Sequence, residues 1–409
     1  MKAINYMSTF ISSSVAKSLV SSRFLSSAKQ SSISIVRNKK GMSSTNHNYD
    51  KSTQLLIEQM KQPFPLIDVD CNLLHQDLTA LLGDFSGPND FYEKASSANL
   101  RILHHPSTIA SNIFGVFSPS STIEESENMH SQLVKSTKES RNFIDVRMGV
   151  GVHPFNTGVE EVGELSEVET ETAKRIGALM ETDKADDGYG YITCVGETGL
   201  DYSEGFPSRE KQLPWFEFQL NLAKKFNLPL FLHERLAFND TVALIDKIFP
   251  QKYPRPPIII HCFTGTKEEC QLYISRGYYI SVSGYILKSG EGPDEVRACL
   301  REGIIPLDKL MIETDAPYMG FSSCRESYYQ IEVKTNDDFL NLNSKKRKRL
   351  VKGIYPNVPS SLPKVLDCVV ELVNEGREER ASEDEIRFED AAKTLFSNSI
   401  KFFGMRTEQ

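Results

Sequence analysis

The stretch YITCVGETGLDYSEGFPSREKQLPWFEFQLNLAKKFNLPLFLHE, residues 191–234, decides the fold class of this 409-residue chain. It opens with the apolar run YITCVGE (191–197) and closes with LPLFLHE (228–234), and both runs are short and rich in residues that favour strands. Between them, apolar side chains recur at helical spacing, which predicts a helix over residues 210–227. A strand, a helix and a second strand in this order indicate a βα unit of a parallel sheet.

The same alternation of strands and helices repeats from about Pro65 onward. Eight runs are candidate strands: PLIDVDCN (65–72), NIFGVFS (112–118), VRMGVGVH (146–153), YITCVGE (191–197), LPLFLHE (228–234), PIIIHCF (257–263), YYISVSG (278–284) and KLMIETD (309–315). Eight strands, each followed by a helix or a long loop, predict an α/β fold of the (β/α)₈ TIM barrel type. In such a barrel the active site is built at the C-terminal ends of the strands.

The predicted barrel occupies residues 62–409, which is longer than the roughly 250 residues that such a barrel needs. Loop inserts account for part of the excess. The clearest candidates are residues 96–110, residues 180–190 and a polar insert at about 321–352.

One barrel helix carries its own start and stop signals, in TKEECQLYISRG (266–277). Thr266 with Glu269 three residues later is the pattern of a capping box, and Gly277 is typical of a helix C-terminus. We expect this helix to connect the strands at 257–263 and 278–284.

Charge and hydropathy limit the classes of partner. The net charge of -8 argues against a broadly basic surface that coats nucleic acid, so any contact with DNA should be local. No apolar run approaches the ~20 residues that span a bilayer, and no membrane partner is expected.

Residues 1–49 differ in composition from the rest of the chain. They contain no Asp or Glu, many serines and seven Lys and Arg residues, which is typical of a mitochondrial transit peptide. The alternative is a disordered Ser-rich leader. Met42 is a candidate second start, and a chain that began there would lack the segment and remain in the cytoplasm.

Polar side chains end five of the predicted strands. Three are histidines, His153, His233 and His261, and two are acids, Glu197 and Asp315. In a closed barrel these ends meet at one rim, so the five side chains should converge. A lone histidine after an apolar run is more often a core residue, and Gly-Glu-Thr-Gly is often an ordinary turn. A group of His, Glu and Asp, however, is typical of a divalent-metal site.

Glu197 stands between two glycines, Gly196 and Gly199. Its carboxylate has two oxygens and could bridge two cations, while the glycines would let backbone and substrate come close. Imidazole suits Zn²⁺, whereas carboxylates suit Mg²⁺ and Mn²⁺. We therefore expect two divalent cations and leave open which of these ions binds.

Four motifs resemble, in order and spacing, those of the TatD family of metal-dependent deoxyribonucleases within the amidohydrolase-like superfamily: CVGETGLDY (194–202), LPLFLHER (228–235), IIIHCFTGT (258–266) and LMIETDAPY (310–318). The resemblance runs from about Ile67 to the C-terminal helices. It implies a metal-dependent hydrolase barrel with divalent cations held by Glu197, His233, His261 and Asp315. Together with the leader, it points to a eukaryotic member in the mitochondrion or the cytoplasm.

The first strand departs from the family pattern. One family version supplies two histidine ligands there, and a second version has Gly and Asn at those positions. This chain has Asp70 and Asn72, so Asp70 is either a further metal ligand or a polar neighbour. Phe155 and Phe238 replace histidines that are frequent in the family, and these changes affect the substrate side rather than the four principal ligands.

The activity that the resemblance implies is hydrolysis of DNA, and we expect a 3'-5' exonuclease that prefers single-stranded ends. Asp315 and Glu197 are the candidate catalytic residues, with Asp315 accepting or positioning a proton. His153 and Arg235 are candidates for binding phosphate oxygens, since the Arg fork suits phosphate. A structural hydrogen bond or ion pair is the alternative for each of the two.

Other segments could contact DNA. The basic run Lys345–Arg349 could guide DNA to the rim or act as a nuclear address, although such a run is often only a solvated loop. Tyr202, Phe263 and Tyr318 follow motif residues, where aromatic rings could stack on unpaired bases, and core packing is the alternative for Phe263.

Two other classes of function are weighed against the nuclease. A barrel with metal ions also suits an amidohydrolase or esterase that acts on a small metabolite. A degenerate barrel used as a non-catalytic binding protein is disfavoured, because all four principal ligands are present.

Overall fold

The computed structural model contains one sheet of eight parallel strands that pair in chain order. The strands are β1 Phe64–Asp68, β2 Ser111–Ser118, β3 Asp145–Val150, β4 Ile192–Asp201, β5 Leu230–Arg235, β6 Ile258–Ile260, β7 Tyr279–Val282 and β8 Leu310–Ile312. The predicted eight-stranded parallel sheet is confirmed.

The described residues are 64–78, 111–135, 145–159, 170–185, 190–250, 254–322, 324, 344–352, 354–380 and 384–405. They belong to one compact unit, Gln59–Gln409. The predicted leader at 1–49 and the predicted insert at 96–110 lie outside the described residues.

The last strand meets the first through the segments that follow both of them. The Val69 backbone N–H donates a hydrogen bond to the Ile312 carbonyl at 3.3 Å, and Cys71 forms a parallel bridge with Ala316. These contacts make the sheet a nearly closed barrel. Residues that follow β1 and β8 are therefore neighbours at the C-terminal rim.

Helices connect the strands. Within the described residues the α-helices are α1 Ile123–Lys135, α2 Glu171–Ala185, α3 Arg209–Phe226, α4 Phe238–Ile248, α5 Lys267–Ser275, α6 Glu291–Arg301, α7 Ser344–Val351, α8 Leu362–Arg380 and α9 Phe388–Phe403. Short 3₁₀ helices lie at Pro154–Asn156, Gly284–Leu287, Leu307–Lys309 and Pro359–Ser361. Across these segments, no helix combines the length and the apolar character that crossing a bilayer requires.

Two helices test the local predictions directly. The helix predicted at 210–227 is α3, and the predicted capping box is present at the start of α5, where the Thr266 side chain accepts from the Glu269 N–H. The predicted insert at 180–190 begins too early, because α2 continues to Ala185. The basic run lies within α7 rather than in a loop.

The barrel has two apolar layers, because successive strand residues point to opposite faces of a sheet. Leu66, Leu230 and Ile260 pack outward in the larger cluster, which includes most of the helix residues. The smaller cluster fills the interior of the barrel: Ile67, Val69, Phe117, Cys194, Phe231, Ile259 and Met311, with Phe402, Phe403 and Met405 from α9 and its C-terminal end. Helix α9 closes the N-terminal end of the barrel, and the C-terminal end is left for the site.

Candidate metal centre and active site

Glu197 lies within β4, which continues to Asp201, so the strand end predicted at residue 197 is wrong, and residues 196–199 do not form the alternative turn. Val195 pairs with Leu230 and Thr198 pairs with Leu232, which means that three steps along β4 match two steps along β5. This irregularity is a β-bulge, and a bulge can redirect a side chain. At this bulge, the Glu197 carboxylate points toward His153 and His233 of the neighbouring segments.

The two glycines that flank Glu197 permit a close approach of β5. A Cβ atom at Gly199 would lie 1.8 Å from the His233 carbonyl oxygen, and one at Gly196 would lie 2.4 Å from the Phe231 carbonyl oxygen. Both contacts are with backbone, so no side-chain movement could relieve them. The glycines therefore serve the packing of β4 on β5, which places His233 beside Glu197.

The first group of candidate ligands contains His153, Glu197 and His233, whose ligand atoms all lie within 4.8 Å of one another. Glu197 Oε1 is 3.0 Å from His233 Nδ1 and 3.2 Å from His153 Nε2. Burial alone would raise the pKa of the Glu197 carboxyl, but the surrounding histidines hold it well below its usual range. Glu197 is therefore ionised and able to bind a cation.

A buried carboxylate fixes the orientation of His233. His233 Nε2 donates to Asp201 Oδ2 at 2.9 Å, which leaves Nδ1 facing Glu197. Asp201 is held in turn by Gln212, whose Oε1 accepts from the Asp201 N–H at 2.8 Å and whose Nε2 donates to the Asp201 carbonyl at 2.6 Å. Such a carboxylate–histidine pair is the usual arrangement behind a histidine metal ligand.

His153 is oriented as a hydrogen-bond donor. Its Nδ1 accepts from the Phe155 backbone N–H at 3.2 Å at the start of the 3₁₀ helix Pro154–Asn156. Burial lowers the pKa of His153, so the ring is neutral and carries its proton on Nε2, the nitrogen that faces Glu197. This tautomer suits donation to a phosphate oxygen or to Glu197 better than it suits metal ligation.

The second group of candidate ligands contains Asp70, His261 and Glu313, and all three are buried. His261 Nδ1 is 3.0 Å from Asp70 Oδ2 and 3.7 Å from Glu313 Oε1. Both Asp70 oxygens, His261 Nδ1 and Glu313 Oε1 nevertheless lack a hydrogen bond with acceptable geometry. Unpaired buried polar atoms are costly, so these atoms are expected to have a further partner.

His261 joins the two groups, because its other nitrogen, Nε2, lies 2.8 Å from Glu197 Oε1. Burial would lower the pKa of His261, but the attraction of Glu197 and Asp70 raises it well above the usual value. The pKa of Asp70 is also raised, by burial and by the nearby carboxylates Asp315 and Glu313. Without a cation, protons on these side chains reduce the repulsion among the carboxylates.

Asp315 lies beside these groups and in neither of them. Its Oδ1 accepts from Asn72 Nδ2 at 3.4 Å, and its Oδ2 is 3.6 Å from Cys262 Sγ. Burial raises its pKa to about 8, with further contributions from Glu313 and Glu197. The structure brings together at this rim the five side chains that were predicted to converge: His153, Glu197, His233, His261 and Asp315.

The residues of the site fit divalent cations. The donors are imidazole nitrogens and carboxylate oxygens, which are the ligand types of Zn²⁺, Mn²⁺ and Mg²⁺. Two groups of ligand atoms lie side by side, and the second contains the orphaned atoms of Asp70, His261 and Glu313. Replacement of their protons by a cation would satisfy these atoms and neutralise the carboxylates.

Two further candidate site residues, Glu313 and Asp201, were missed by the sequence analysis. Glu313 follows β8 two positions before Asp315, and its Oε2 accepts from the Ser281 hydroxyl at 2.6 Å. Asp201 is the last residue of β4. Glu313 lies near the end of the predicted strand 309–315, so applying the strand-end rule to every acid there would have found it. Asp201 lies four residues beyond the strand end predicted at 197, and only the longer β4 of the structure places it at a strand end.

On the substrate side, Arg235 is exposed at the end of β5 and, among the residues that the structure describes, forms no ion pair. Tyr318 is 43% exposed, and its hydroxyl lies 3.0 Å from His75 Nε2. Phe263 is buried in the core, and the Tyr202 hydroxyl donates to Asp240. Of the three predicted stacking residues, Tyr318 is therefore the most exposed, Tyr202 is half-buried and Phe263 is a core residue.

The two phenylalanines at positions where the family often has histidine make apolar contacts. Phe155 packs edge-on against Phe206, with ring centroids 5.5 Å apart, and Phe238 packs against Tyr273 at 5.0 Å. Neither residue offers a polar atom to a ligand.

Comparison with known proteins places this architecture in a family. The model of the family described as TatD related DNase matches residues 69–404. A 3'-5' ssDNA/RNA exonuclease TatD from Cronobacter sakazakii is 32% identical over 210 residues, which cover 51% of this chain and 69% of that protein. A deoxyribonuclease Tat-D from Schizosaccharomyces pombe is 31% identical over 252 residues, 61% of this chain and 72% of that protein. The chain spans about half the length of several further enterobacterial relatives.

A solved structure supports the fold independently. A hydrolase TatD family protein from Entamoeba histolytica superposes with a TM-score of 0.57 at 22% identity, covering 84% of this chain and 99% of that one.

Proposed function

Because this chain belongs to the TatD related DNase family, we propose that it is a metal-dependent hydrolase that cleaves phosphodiester bonds of DNA. The observation that carries the proposal is the pair of ligand groups at the C-terminal rim, with buried atoms of Asp70, His261 and Glu313 that lack hydrogen bonds. A phosphodiester is anionic, so its site must present positive charge, and this site has the ligands to bind cations.

We propose further that cleavage is exonucleolytic, in the 3'-5' direction, and prefers single-stranded ends. The relatives from C. sakazakii and S. pombe are named a 3'-5' ssDNA/RNA exonuclease and a deoxyribonuclease. Duplex DNA is stiff over about 150 base pairs, so a flexible single-stranded end enters a recessed rim more easily than the middle of a duplex.

The proposed cation ligands are Glu197, His233, His261 and Asp315, with Asp70 as a fifth. These residues would hold two divalent cations, which when bound would supply Lewis acidity toward the phosphoryl group. Asp201 keeps the His233 Nδ1 lone pair directed at the site.

The protein's own side chains have the remaining roles. Asp315 accepts or positions a proton: burial raises its pKa to about 8 in the metal-free site, and bound cations would lower this pKa, so that the carboxylate is ionised and able to accept near neutral pH. His153 donates from Nε2 to a phosphate oxygen, and exposed Arg235 binds a phosphate at the end of β5.

The test uses end-labelled single-stranded DNA, blunt duplex DNA and RNA, each with Mg²⁺, Mn²⁺ or Zn²⁺, beside a panel of cyclic amides and esters. We expect metal-dependent release of mononucleotides, fastest from single-stranded DNA. Glu197→Gln and His261→Ala should abolish it, whereas Glu268→Gln on the exposed face of α5 should not. Full activity in excess chelator would exclude a metal mechanism. Turnover of amides or esters with DNA left intact would replace the nuclease by an amidohydrolase.

We also propose that residues 1–49 direct the chain to the mitochondrion, with a second, cytoplasmic form that starts at Met42. The proposal rests on the absence of acids and the seven Lys and Arg residues in this segment, and a nuclear form addressed by Lys345–Arg349 is the competing proposal. A fluorescent protein fused to residues 1–49 should accumulate in mitochondria. A uniform cytoplasmic signal would reject the leader as a targeting segment.

A further inference from the structure

The segment that follows β7 approaches the site from the side of Asp315. Ser283 Oγ is 3.4 Å from Cys262 Sγ, which in turn is 3.6 Å from Asp315 Oδ2. Ser283 also begins the 3₁₀ helix Gly284–Leu287, and Lys288 is the next residue along the chain. Lys288 therefore belongs to the same rim as the candidate metal ligands, although no sequence motif pointed to it.

The backbone of Lys288 is fixed by a neighbouring helix. Arg297 of α6 donates from Nη1 to the Ile286 carbonyl at 2.8 Å and to the Lys288 carbonyl at 2.7 Å. The Lys288 N–H donates to the Tyr285 carbonyl at 3.0 Å. Lys288 thus projects its side chain from a rigid segment and not from a free loop.

The ammonium group of Lys288 has weak partners. Its Nζ lies 3.4 Å from Met319 Sδ and 5.9 Å from the centre of the Tyr285 ring. A thioether is a poor acceptor, and across the described parts of the chain Lys288 forms no ion pair with a carboxylate. Burial lowers the pKa of Lys288, because the half-buried ammonium has lost water without gaining a strong acceptor.

A second cation lies close enough to repel Lys288. Arg349 of α7 lies over the Tyr355 ring, with its guanidinium carbon 5.0 Å from the ring centre, and its carbonyl accepts from the Ile354 N–H at 2.9 Å. A Cβ atom at Gly320, the residue after Met319, would meet the Ile354 carbonyl, so the C-terminal end of α7 lies beside the segment that Lys288 contacts, and the charge of Arg349 lowers the pKa of Lys288 further. Within the described residues Arg349 also forms no ion pair. Two neighbouring cations that lack a carboxylate partner are stabilised by an anion bound between them.

We propose that Lys288 and Arg349 bind the phosphate group next to the one that is cleaved. The proposal rests on the proposed function and specifies it further: the preferred substrate is a strand with at least two consecutive phosphates rather than an isolated phosphodiester. The backbone phosphate is the common feature of DNA and RNA, so this contact is independent of sequence.

Lys309 offers a matched control. It is also half-buried and also lies over a tyrosine ring, at 4.5 Å from the centre of Tyr279. It precedes β8 and donates to the Gly277 carbonyl at 3.1 Å, so it lies at the opposite end of the barrel from the site. Lys309→Met removes the same charge and the same type of ring contact away from the rim.

The binding experiment uses the full chain, a fluorescent single-stranded oligonucleotide and chelator, with anisotropy measured over a range of salt concentrations. Lys288→Met should weaken binding about tenfold. It should also reduce the slope of log affinity against log salt by about 0.7, the value for one contact with a single-stranded phosphate. Lys288→Arg and Lys309→Met should keep the affinity and the salt slope of the wild type. Arg349→Met should show the same reduced affinity and slope as Lys288→Met.

A kinetic experiment separates this contact from the chemistry. One substrate is the p-nitrophenyl ester of thymidine 5'-phosphate, which has a single phosphodiester, and the other is a single-stranded oligonucleotide. Lys288→Met should raise KM for the oligonucleotide about tenfold and leave kcat/KM for the small ester unchanged. An equal loss on both substrates would mean that Lys288 acts at the cleaved phosphate, and it would overturn the proposal.

The two proposals fail in different ways. Wild-type affinity and salt slope in Lys288→Met would remove the anion site and leave the nuclease standing. If the wild type cleaved no phosphodiester but still bound the oligonucleotide in a way that depends on Lys288, the nuclease proposal would be rejected. The proposed phosphate contact of Lys288 would then stand.

Discussion

Asp201→Asn tests whether the site depends on the orientation of His233. The Asp201 side chain is 1% exposed, and its Oδ2 accepts from His233 Nε2 at 2.9 Å. Burial would raise the pKa of Asp201, but the hydrogen bonds from His233 and Ser203 lower it, so the native acceptor is a carboxylate. Asparagine has nearly the same shape and lacks the charge.

The size of the effect follows from these contacts. Loss of a buried carboxylate behind a histidine ligand reduces metal affinity or activity by about 10- to 100-fold. At 1.36 kcal/mol per factor of ten, this range corresponds to between about 1.4 and about 2.7 kcal/mol. A hydrogen bond to a charged group contributes about 1.5–3 kcal/mol, so the two values agree.

The backbone should remain in place, because Gln212 holds the Asp201 N–H and carbonyl independently of the side chain. The assays are calorimetric titration with Mn²⁺ or Zn²⁺, kcat/KM on single-stranded DNA and thermal unfolding. We expect cation affinity and activity to fall together by about 10- to 100-fold with little change in fold.

Asp183→Asn is the matched control. Asp183 is also a buried carboxylate, and it pairs with His130 Nε2 at 2.9 Å. It also accepts from the backbone N–H groups of Tyr191 and Ile192, just before and at the start of β4, away from the C-terminal rim. This variant should lower stability and leave cation affinity unchanged. If Asp201→Asn behaved in the same way, the orienting role of Asp201 would be refuted.

Two further predictions concern stability. Gly199→Ala should lower the free energy of unfolding by more than ~3 kcal/mol in chemical denaturation, because the new Cβ would lie 1.8 Å from the His233 carbonyl oxygen. Gly205→Ala, also at positive φ but with no atom within 4 Å, should lower it by only about 1–2 kcal/mol, and equal losses would rule out the steric explanation. Burial raises the pKa of Asp68 from 3.8 to about 8, so between these values the Asp68 carboxyl binds a proton in the folded state but not in the unfolded state. Its contribution to the free energy of unfolding of the metal-free protein should therefore fall as pH rises from about 4 to about 8, and a steady increase over that range would contradict this sign.

The sequence by itself determined the order of strands and helices and most of the rim, but not every boundary of these elements. Strand runs, the helical spacing in 210–227 and the capping box at Thr266 depend on local preferences and periodicity, which are properties of neighbouring residues. The order of βα units then fixed the barrel, and the barrel fixed the end at which His153, His233 and His261 meet.

Only the tertiary structure decided the partners of these side chains. The β-bulge at Glu197 depends on pairing with β5, and the Asp70–His261–Glu313 group needs three strands that are far apart in the sequence. Lys288 approaches Asp315 only because β7 and β8 are adjacent. The position of a residue along a strand predicts the end of the barrel at which its side chain lies. Which atoms meet there depends on strand register and burial, and contacts between distant segments set both.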